Sequence, residues 1–363
     1  MEKIPEPDAA PFSRSLLVWY RHHARKLPWR RTQDPYRIWI SEIMLQQTQV
    51  ETVIPYYLRW LKRFPNLASL AKASRHDVLR AWAGLGYYRR ARMIHETARL
   101  LVRQEEKNLP ASVDALKKLP GIGRYTAAAI ASIAFGIPVA VLDGNVIRVL
   151  TRLCAISSDI RKARTLEKLW QTAQALLPPK QPGDFNQAMM ELGATVCRPG
   201  IPLCALCPVR RFCRSEKAGA AASLPFQGMR TRIESKRTAA LLLRDPKKIW
   251  LEKQPQDARW GDLWTLPYWE TLPAMKRALG PCAEKMKKLF SVRHGFTKYQ
   301  ITLEIFEAPA EIRPAPPSDR KWRQVPIGAL HRYAFPSPHK KILERLFPEW
   351  LKKKSHEPAK TDS

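Results

Sequence analysis

The sequence predicts two domains, an all-α first domain and a smaller α+β second domain. Up to about residue 220 the chain carries helical periodicity and helix-capping signals, with no strand pattern. Beyond that point, alternating apolar runs predict strands over residues 238–244, 249–253, 289–292 and 299–306. A closing helix is predicted over residues 337–347. The small, polar segment 215–232, which contains Pro225 and Gly228, predicts a linker between the domains.

The composition indicates a globular protein that binds a polyanion. The 363 residues include 45% hydrophobic residues and twelve Trp, which excludes a disordered chain and is enough for two or three domains with their own cores. Lys and Arg number 63 against 32 Asp and Glu, a formal net charge of +31. This charge favours nucleic acid as the partner, although charge alone also fits a ribosome-associated or merely basic protein.

No export or membrane signal is visible in the sequence. The start, MEKIPEPDAAPF, lacks the apolar core of a secretory signal. The longest apolar run, residues 127–142, is interrupted by Gly136 and Pro138 and is too short to span a bilayer. We therefore expect a soluble intracellular protein, whose six cysteines are ligands or buried thiols rather than disulfides.

Capping signals place the helices of the first domain in order. A short helix is predicted over residues 13–25. Asp34 followed by Pro35 is an N-cap with proline at the first helical position, and it starts a helix that runs to Thr48. Ser74 and Ser112 are N-cap candidates for later helices. Further helices are predicted over residues 50–64, 146–154, 166–177 and 184–196.

Glu42 is unusual because apolar residues flank it closely in the helix that Asp34 starts. Ile40, Ile43 and Met44 belong to the apolar stripe of that helix. If Glu42 is buried with them, its pKa rises and it stays protonated near neutral pH. The alternative is an ordinary solvated glutamate, which the spacing alone favours.

The stretch 116–145 joins a glycine hairpin to a long apolar helix. Gly121 and Gly123 permit positive φ and leave the backbone open, so that their amides can face a phosphate. The next helix begins near Arg124, where free N–H groups and the helix dipole favour an anion. An ordinary tight turn also explains the hairpin, and an ordinary N-cap explains Asp143.

A second glycine turn, residues 84–88, combines flexible residues with aromatic ones and is followed by several arginines. Such a loop can insert an apolar or aromatic side chain into a base stack. A packed turn between two helices is the alternative.

Four cysteines within seventeen residues give the strongest local signal. The spacing C-x6-C-x2-C-x5-C is formed by Cys197, Cys204, Cys207 and Cys213. Four thiolates on one loop coordinate either a [4Fe-4S] cluster or a tetrahedral zinc ion. Structural zinc sites more often use two C-x2-C pairs, so the single pair here favours iron-sulfur. Arginines interleave with the cysteines and give the loop a basic surface suited to phosphate.

These features occur together, and in the same order, in a known family. Residues 10–220 resemble the helix-hairpin-helix DNA glycosylases that hold a [4Fe-4S] cluster. The resemblance rests on the segments WISEIMLQQTQV, LPGIGRYTAAAI and VLDGNVIRV and on the spacing of the four cysteines.

Within that superfamily the chain resembles the adenine DNA glycosylases of MutY type. Relatives of endonuclease III type carry a nucleophilic Lys in the hairpin motif where this chain has Tyr125, which has no amine. The segment that contains Glu42 and continues into QQT is that of the adenine enzymes. Residues 259–267, RWGDLWTLP, are similar to the Nudix-like domain of the MutY type.

The resemblance implies hydrolysis of the N-glycosidic bond of adenine in double-stranded DNA, where adenine is mispaired with 8-oxoguanine or guanine. Glu42 would be the general acid, and an ionised Asp143 would stabilise an oxocarbenium-like transition state. Tyr125 and Asn145 would position the carboxylates and the water. The implied DNA contacts are Arg30, Gln47, Leu85, Tyr87, Gly121, Gly123 and Arg124, with Tyr87 and Leu85 as the wedge. Cys197, Cys204, Cys207 and Cys213 would hold the [4Fe-4S] cluster.

The second domain is expected to recognise 8-oxoguanine without pyrophosphatase chemistry. Residues 272–279, LPAMKRAL, lack the acidic R-E-x-x-E-E helix of Nudix hydrolases. The family's lesion-recognition loop, of Phe-Ser-His type, corresponds here to Phe296, Thr297 and Lys298. Lys298 thus replaces the usual His, which leaves the manner of lesion contact open.

The predicted architecture is a multi-domain protein with an all-α helix-hairpin-helix glycosylase domain and an α+β Nudix-like domain. Its parts are the glycosylase domain at residues 10–196, the iron-sulfur loop at 197–214, the linker at 215–232, the Nudix-like domain at 233–350 and a disordered basic tail at 351–363. We expect a monomer that acts on DNA in the bacterial cytoplasm and binds no membrane.

Two alternatives stay open. One is a bifunctional oxidised-pyrimidine glycosylase and lyase of endonuclease III type, which Tyr125 and the extra domain disfavour. The other is a non-catalytic DNA-binding Fe-S protein, which the pairing of Glu42 with Asp143 disfavours.

Overall fold

The computed structural model describes residues 8–228, 233–296, 298–309, 316 and 320–348. The chain forms two compact units. The first unit comprises Met1–Lys72 and Met93–Arg230, and the second comprises Ala73–Arg92 and Thr231–Ser363. The stretch 73–92 therefore packs with the second unit, although its sequence position lies inside the predicted glycosylase domain. The predicted tail, residues 351–363, lies outside the described residues.

The chain up to residue 228 is helical, as predicted, and no strand occurs among its described residues. Its helices are α1 (Ala9–His23), α2 (Pro35–Leu45), α3 (Val50–Arg63), α4 (Leu67–Lys72), α5 (Arg75–Trp82), α6 (Arg89–Arg103), α7 (Val113–Lys117), α8 (Arg124–Phe135), α9 (Gly144–Leu153), α10 (Ala163–Leu176), α11 (Pro182–Thr195) and α12 (Arg214–Lys217). The predicted caps Asp34, Ser74 and Ser112 accept backbone N–H groups at the starts of α2, α5 and α7.

Several helix ends differ from the prediction by one to four residues, and two of these differences have a clear local cause. Helix α1 begins at Ala9 rather than at residue 13, because Asp8 caps it by accepting the N–H of Ala10. Helix α2 ends at Leu45 rather than at Thr48, because the chain turns at Gln47, whose φ of 56° is left-handed.

Helix α8 is the buried centre of the first unit. Its residues from Thr126 to Ser132 are all buried, and all of them except Ile130 have small side chains that let neighbouring helices approach closely. Helix α11 meets its neighbours through two glycines. A Cβ on Gly183 would lie 2.7 Å from the carbonyl oxygen of Ser132, and one on Gly193 would lie 2.6 Å from the Cβ of Asn145. Any larger residue at these positions would force α11 away from α8 and α9.

The described part of the predicted linker is folded. Ser215, in α12, is fully buried, and its hydroxyl donates a hydrogen bond to the carbonyl oxygen of Arg152. Ala221 and Leu224 are also buried. Residues 214–224 therefore belong to the folded first unit rather than to a linker. The prediction failed because a run of Ala, Gly and Ser resembles a linker in composition.

The second unit is α+β, as predicted. Its strands are β1 (Glu234–Leu242), β2 (Lys248–Lys253), β3 (Trp264–Thr265), β4 (Tyr268–Trp269), β5 (Lys287–Phe296), β6 (Tyr299–Glu307) and β7 (Trp322–Pro326). They form one sheet in the order β4-β1-β6-β5 and a second in the order β3-β2-β7. Strands β1 and β6 are parallel, and the other pairs are antiparallel. This part of the unit also contains helices α13 (Leu272–Leu279) and α14 (Ser337–Leu346). Nowhere in the described part of the chain is a helix both long and apolar enough to cross a membrane.

Strand β1 is a central strand with both faces buried over its second half. Ala240 and Leu242 pack into the cluster that α14 covers, whereas Ala239 and Leu241 pack into the cluster that α13 covers. This two-sided burial explains the continuous apolar run that predicts the strand. The first four residues of β1 are exposed and polar, and they extend the strand beyond the prediction because they pair with β6.

Candidate active site

Glu42 lies on α2 with its side chain buried. The residue is 5% exposed, and the Tyr125 hydroxyl on α8 donates a hydrogen bond to its Oε2 over 2.6 Å. Burial raises the pKa of Glu42 from 4.5 to about 7; the Tyr125 hydrogen bond opposes this rise, and the negative charge of Asp143 adds to it. A carboxyl with such a raised pKa can keep its proton nearer to neutral pH than an ordinary glutamate does. Glu42 is thus buried, unlike the solvated glutamate that the spacing alone favoured, and its pKa is shifted in the direction expected of a buried carboxyl.

Asp143 is the N-cap of α9 and faces the same site. Its Oδ1 accepts a hydrogen bond from the N–H of Val146 over 2.7 Å, and its Oδ2 accepts one from Nδ2 of Asn145 over 2.9 Å. Burial raises the pKa of Asp143, and the hydrogen bonds from Val146 and Asn145 lower it. The net direction is upward, whereas the resemblance implies a carboxylate that stays ionised.

Asn145 is held by Arg148, which the sequence analysis did not single out. The guanidinium of Arg148 donates to Oδ1 of Asn145 over 2.8 Å and to the carbonyl oxygens of Gly193 and Cys197, each over 2.8 Å. Asn145 therefore has a fixed orientation and presents its amide to Asp143.

Tyr125 lies near the start of α8 and contacts Glu42 directly. Its pKa is well above its ordinary value, because the side chain is buried and the negative charge of Glu42 disfavours a phenolate. The phenol therefore stays protonated and acts as a hydrogen-bond donor. This position holds no amine that could attack a sugar carbon.

Glu191 on α11 forms a buried ion-pair cluster that the sequence analysis missed. Its carboxylate accepts hydrogen bonds from Nε and an amino group of Arg25, over 2.8 and 2.9 Å. It accepts a third from an amino group of Arg30 over 2.8 Å. Burial raises the pKa of Glu191, but the hydrogen bonds from Arg25 and Arg30 outweigh it and lower the pKa to about 2. An acid inside an apolar helix was the available signal; its partners lie more than 160 residues earlier.

Arg30 was predicted to lie along the base pocket or the DNA. Its side chain is 13% exposed and bound to Glu191, so it lies inside the first unit rather than at an open surface. Its positive charge lowers the pKa of Glu42, which places it near that carboxyl.

The hairpin before α8 uses its two glycines differently. Gly121 has a φ of 76°, and a Cβ there would lie 2.5 Å from the Cβ of Met93. Gly123 has a φ of −87° and is the N-cap of α8, so it does not use the positive φ that a glycine permits. A Cβ on Gly123 would meet no atom within 4 Å, so the backbone there is open to a ligand.

Arg124, the first residue of α8, is exposed but engaged. Its guanidinium pairs with Glu167 over 2.6 Å and lies over the ring of Trp170, 4.1 Å from the centroid. Gln47, the other predicted contact near α2, is exposed.

The turn at residues 84–88 divides its two predicted wedge residues. Leu85 is 6% exposed and packs inside the protein, so its side chain is not available for insertion into DNA in this conformation. Tyr87 is 44% exposed and has a φ of 47°. Only Tyr87 of the pair is presented to a ligand.

The four predicted cysteine ligands line one small cavity. None of them forms a disulfide. The cavity wall includes Cys197, Cys204, Cys207 and Cys213. Burial raises the pKa of the Cys207 thiol to about 12, and the neighbouring cysteines contribute to the rise. Within the described ranges, no group of three or more His, Cys, Asp and Glu side chains is arranged to hold a single metal ion.

Arg152, near the end of α9, binds the cysteine loop from inside and was not predicted. It is 1% exposed. Its guanidinium donates to the carbonyl oxygens of Leu224, Arg198 and Gly200 over 2.9, 2.8 and 2.9 Å. One of its amino groups also lies 3.4 Å from Sγ of Cys197.

In the second unit, Lys298 is the predicted lesion contact that the structure describes in full. It is exposed, and its ammonium pairs with Glu234 over 2.7 Å. Thr297 and the side chain of Phe296 lie outside the described part of the chain. Helix α13 carries Lys276 and Arg277 and no acid, as the sequence predicts.

The sequence matches two family profiles that together define the class of protein. Residues 40–175 match the HhH-GPD superfamily of base excision DNA repair proteins, and residues 238–345 match the NUDIX domain. The helical unit also resembles a solved thermostable thymine-DNA glycosylase, with a TM-score of 0.52 and 28% identity over 57% of this chain and 96% of that one. The chain thus combines a helix-hairpin-helix base excision repair fold with a Nudix domain.

Curated relatives narrow this class to one family. An adenine DNA glycosylase of Buchnera aphidicola subsp. Schizaphis graminum is 35% identical over 295 residues, which cover 80% of this chain and 85% of the relative. The human adenine DNA glycosylase is 50% identical over 219 residues, 58% of this chain. The chain spans 40% of the length of the human relative and 42% of that of the rat relative. The chain belongs to the adenine DNA glycosylase family.

Proposed function

We propose that the protein removes adenine from double-stranded DNA by hydrolysing its N-glycosidic bond, where the adenine is mispaired with 8-oxoguanine or guanine. The observation that carries this proposal is the buried Glu42, whose pKa is raised to about 7. The negative charge of a second buried carboxyl, that of Asp143, contributes to this rise. Two carboxyl groups held in different environments are the usual equipment for breaking a glycosidic bond. The names of the curated relatives support adenine as the base.

Glu42 acts as the general acid. A mispaired adenine costs less to extrude from the duplex than a paired one, and the extruded base is brought to the carboxyl. Protonated Glu42 gives its proton to N7 of adenine, so that the base leaves as a neutral molecule while the bond to the sugar breaks. The resulting carboxylate then accepts a proton from water as the water attacks the sugar. Tyr125 orients the carboxyl throughout, because its buried phenol stays a donor.

Asp143 stabilises the positive charge that develops on the sugar ring. Its ionised form is supported by Val146, Asn145 and the positive end of the α9 dipole. Charge on the sugar during bond breaking adds a further attraction that favours the carboxylate. Asn145 keeps Asp143 in place and is itself fixed by Arg148.

The reaction is hydrolysis alone, without strand cleavage through a Schiff base. A lyase of endonuclease III type needs an amine to form an imine with the sugar. Tyr125 occupies the corresponding position in this chain. We therefore propose a monofunctional enzyme. We also propose that it acts as a monomer on DNA in the bacterial cytoplasm.

DNA binding is proposed to use the basic charge and the open backbone of the hairpin. The net charge of +31 favours the phosphate backbone and predicts an affinity that falls with salt. Gly121, Gly123 and the N-terminal N–H groups of α8 are suited to one phosphate, with Arg124 beside them. Exposed Tyr87 is the proposed wedge, and exposed Gln47 is a further proposed contact.

The four cysteines are proposed to hold a [4Fe-4S] cluster. The four residues line one cavity, and the Arg152 guanidinium lies 3.4 Å from Sγ of Cys197. The bound cluster would cross-link residues 197–213 and so stabilise a basic surface. It takes no part in breaking the glycosidic bond.

The Nudix unit is proposed to recognise 8-oxoguanine through Phe296, Thr297 and Lys298. The absence of acids from residues 272–279 supports recognition without pyrophosphatase chemistry. Lys298 is a cation with three donors, suited to the carbonyl oxygens of the oxidised base.

The experiment that tests the proposal is adenine release by Glu42→Gln in single-turnover assays on duplexes with adenine opposite 8-oxoguanine. We expect a rate at least about 100-fold below wild type, because the amide cannot donate an acidic proton, with mismatch binding retained. Glu106→Gln, a change at an exposed glutamate, is the matched control and should keep the wild-type rate. A fully active Glu42→Gln protein would refute the assignment. Parallel duplexes with thymine glycol, treated with borohydride, distinguish the lyase alternative, which requires a trapped adduct.

A further inference from the structure

The turn that carries Tyr87 is part of the second unit, together with the residues proposed to recognise the lesion. This unit comprises Ala73–Arg92 and Thr231–Ser363. Gly84, Gly86 and Tyr87 have φ values of 114°, 72° and 47°. A left-handed tyrosine is costly and persists only where surrounding contacts hold it.

One set of contacts braces the turn from its own flanks. Nε1 of Trp82 donates to the carbonyl oxygen of Gly86 over 3.0 Å. An amino group of Arg90 donates to the carbonyl oxygens of Leu85 and Gly86, each over 3.2 Å. The same guanidinium lies 5.6 Å from the centroid of the Tyr87 ring. These contacts fix the backbone beneath the exposed aromatic.

A second set comes from residues far along the chain. The hydroxyl of Tyr88 donates to the carbonyl oxygen of Phe335 over 2.8 Å and accepts the N–H of Gly84 over 3.3 Å. The hydroxyl thus links the first residue of the turn, the last residue of the turn and the segment before α14.

Asp262 provides the other long-range attachment. Its carboxylate pairs with Arg75 over 3.2 Å and with Arg92 over 3.8 Å, and its side chain is 15% exposed. Arg92 also donates to the carbonyl oxygen of Gly261 over 3.1 Å. Because Arg75 starts α5 and Arg92 lies in the first turn of α6, Asp262 holds both helices that flank the turn.

We propose that Tyr88 and Asp262 are positioning residues that hold Tyr87 ready for insertion into a base stack. This inference rests on the proposed function, in which Tyr87 is the wedge. If Tyr87 is already ordered in the free protein, less conformational entropy is lost when it binds DNA, and binding is more favourable. Both attachments come from the second unit, to which Lys298 also belongs.

Hydrogen exchange in the full-length free protein tests the attachments without DNA. Tyr88→Phe removes only the hydroxyl, and Asp262→Asn removes the charge while keeping a residue that tolerates its φ of 65°. We expect amides of residues 84–88 to exchange about 2- to 10-fold faster in each variant, as the loss of one hydrogen bond predicts. Asp114→Asn, at an exposed pair on α7, is the control and should not change exchange in this turn. Unchanged exchange in both variants would overturn the proposal.

A second measurement tests whether the attachments serve the wedge. The variants are placed in the Glu42→Gln background, so that the DNA stays intact, and unstacking is followed by 2-aminopurine fluorescence next to 8-oxoguanine opposite adenine. We expect Tyr87→Ala to lose the fluorescence rise, and Tyr88→Phe and Asp262→Asn to reduce it about 2- to 10-fold at subsaturating protein. Faster exchange with a wild-type rise would refute the positioning role and leave the wedge intact. A wild-type rise in Tyr87→Ala would instead refute the proposed wedge itself.

Discussion

Glu42 should destabilise the folded protein at neutral and alkaline pH, and Glu42→Gln should relieve this cost. The folded protein binds the Glu42 proton up to a pH of about 7, whereas the unfolded chain releases it near 4.5. The contribution of Glu42 to the free energy of unfolding therefore falls as the pH rises from 4.5 to 7, and it is constant above that range. At about 1.4 kcal/mol for each pH unit, the full cost is about 3 kcal/mol, and most of it develops between pH 5 and pH 8.

The assay is urea unfolding of the full-length protein at pH 5 and pH 8, followed by far-ultraviolet circular dichroism. We expect the stability of Glu42→Gln relative to wild type to be about 2 to 3 kcal/mol higher at pH 8 than at pH 5. Glutamine has a similar shape and its carbonyl oxygen still accepts the Tyr125 hydroxyl, so packing effects cancel between the two pH values. Glu106→Gln should show no such dependence. If the stability difference between Glu42→Gln and wild type is the same at both pH values, the raised pKa is not present in solution.

Three further outcomes are expected from single substitutions. Asp143→Asn should abolish adenine release with mismatch binding retained, because asparagine still caps α9 but carries no charge; a rate within about tenfold of wild type would contradict this. Lys298→Ala should reduce the preference for 8-oxoguanine over guanine opposite adenine in competition assays, and an unchanged preference would assign lesion recognition to another residue. Cys204→Ser should lower the iron content and the visible absorption of the purified protein, whereas Cys282→Ser should leave both unchanged; equal iron in the two variants would exclude Cys204 as a ligand.

The division into a helical and an α+β part was predictable because capping and periodicity are local signals. Asp34 before Pro35 fixes the start of α2 from the sequence alone. The end of α2 was not predictable, because the left-handed φ of Gln47 depends on its surroundings. The folded segment 214–224 was missed because the burial of Ser215 depends on a contact with Arg152, sixty-three residues earlier.

The site was predictable where chemistry is tied to a motif and not where it depends on distant partners. Spacing alone favoured a solvated Glu42, and only the packing of α2 settles its burial. Glu191 was not recognised because its arginines lie at the other end of the unit's sequence. Leu85 and Tyr87 have similar sequence surroundings, and only the backbone of the turn decides that one is buried and the other exposed.

The length of helix α9 sets the distance between Asp143 and Arg152. It has ten residues and is about 15 Å long, with Asp143 capping one end and Arg152 near the other. Inserting one residue would rotate one end against the other by about 100°, so that Asp143 and Arg152 could not both keep their partners. Many substitutions on the outer face of α9 should be tolerated, but its length should not vary. The proposed active site therefore depends on the number of residues in α9 as well as on the carboxyl group of Asp143.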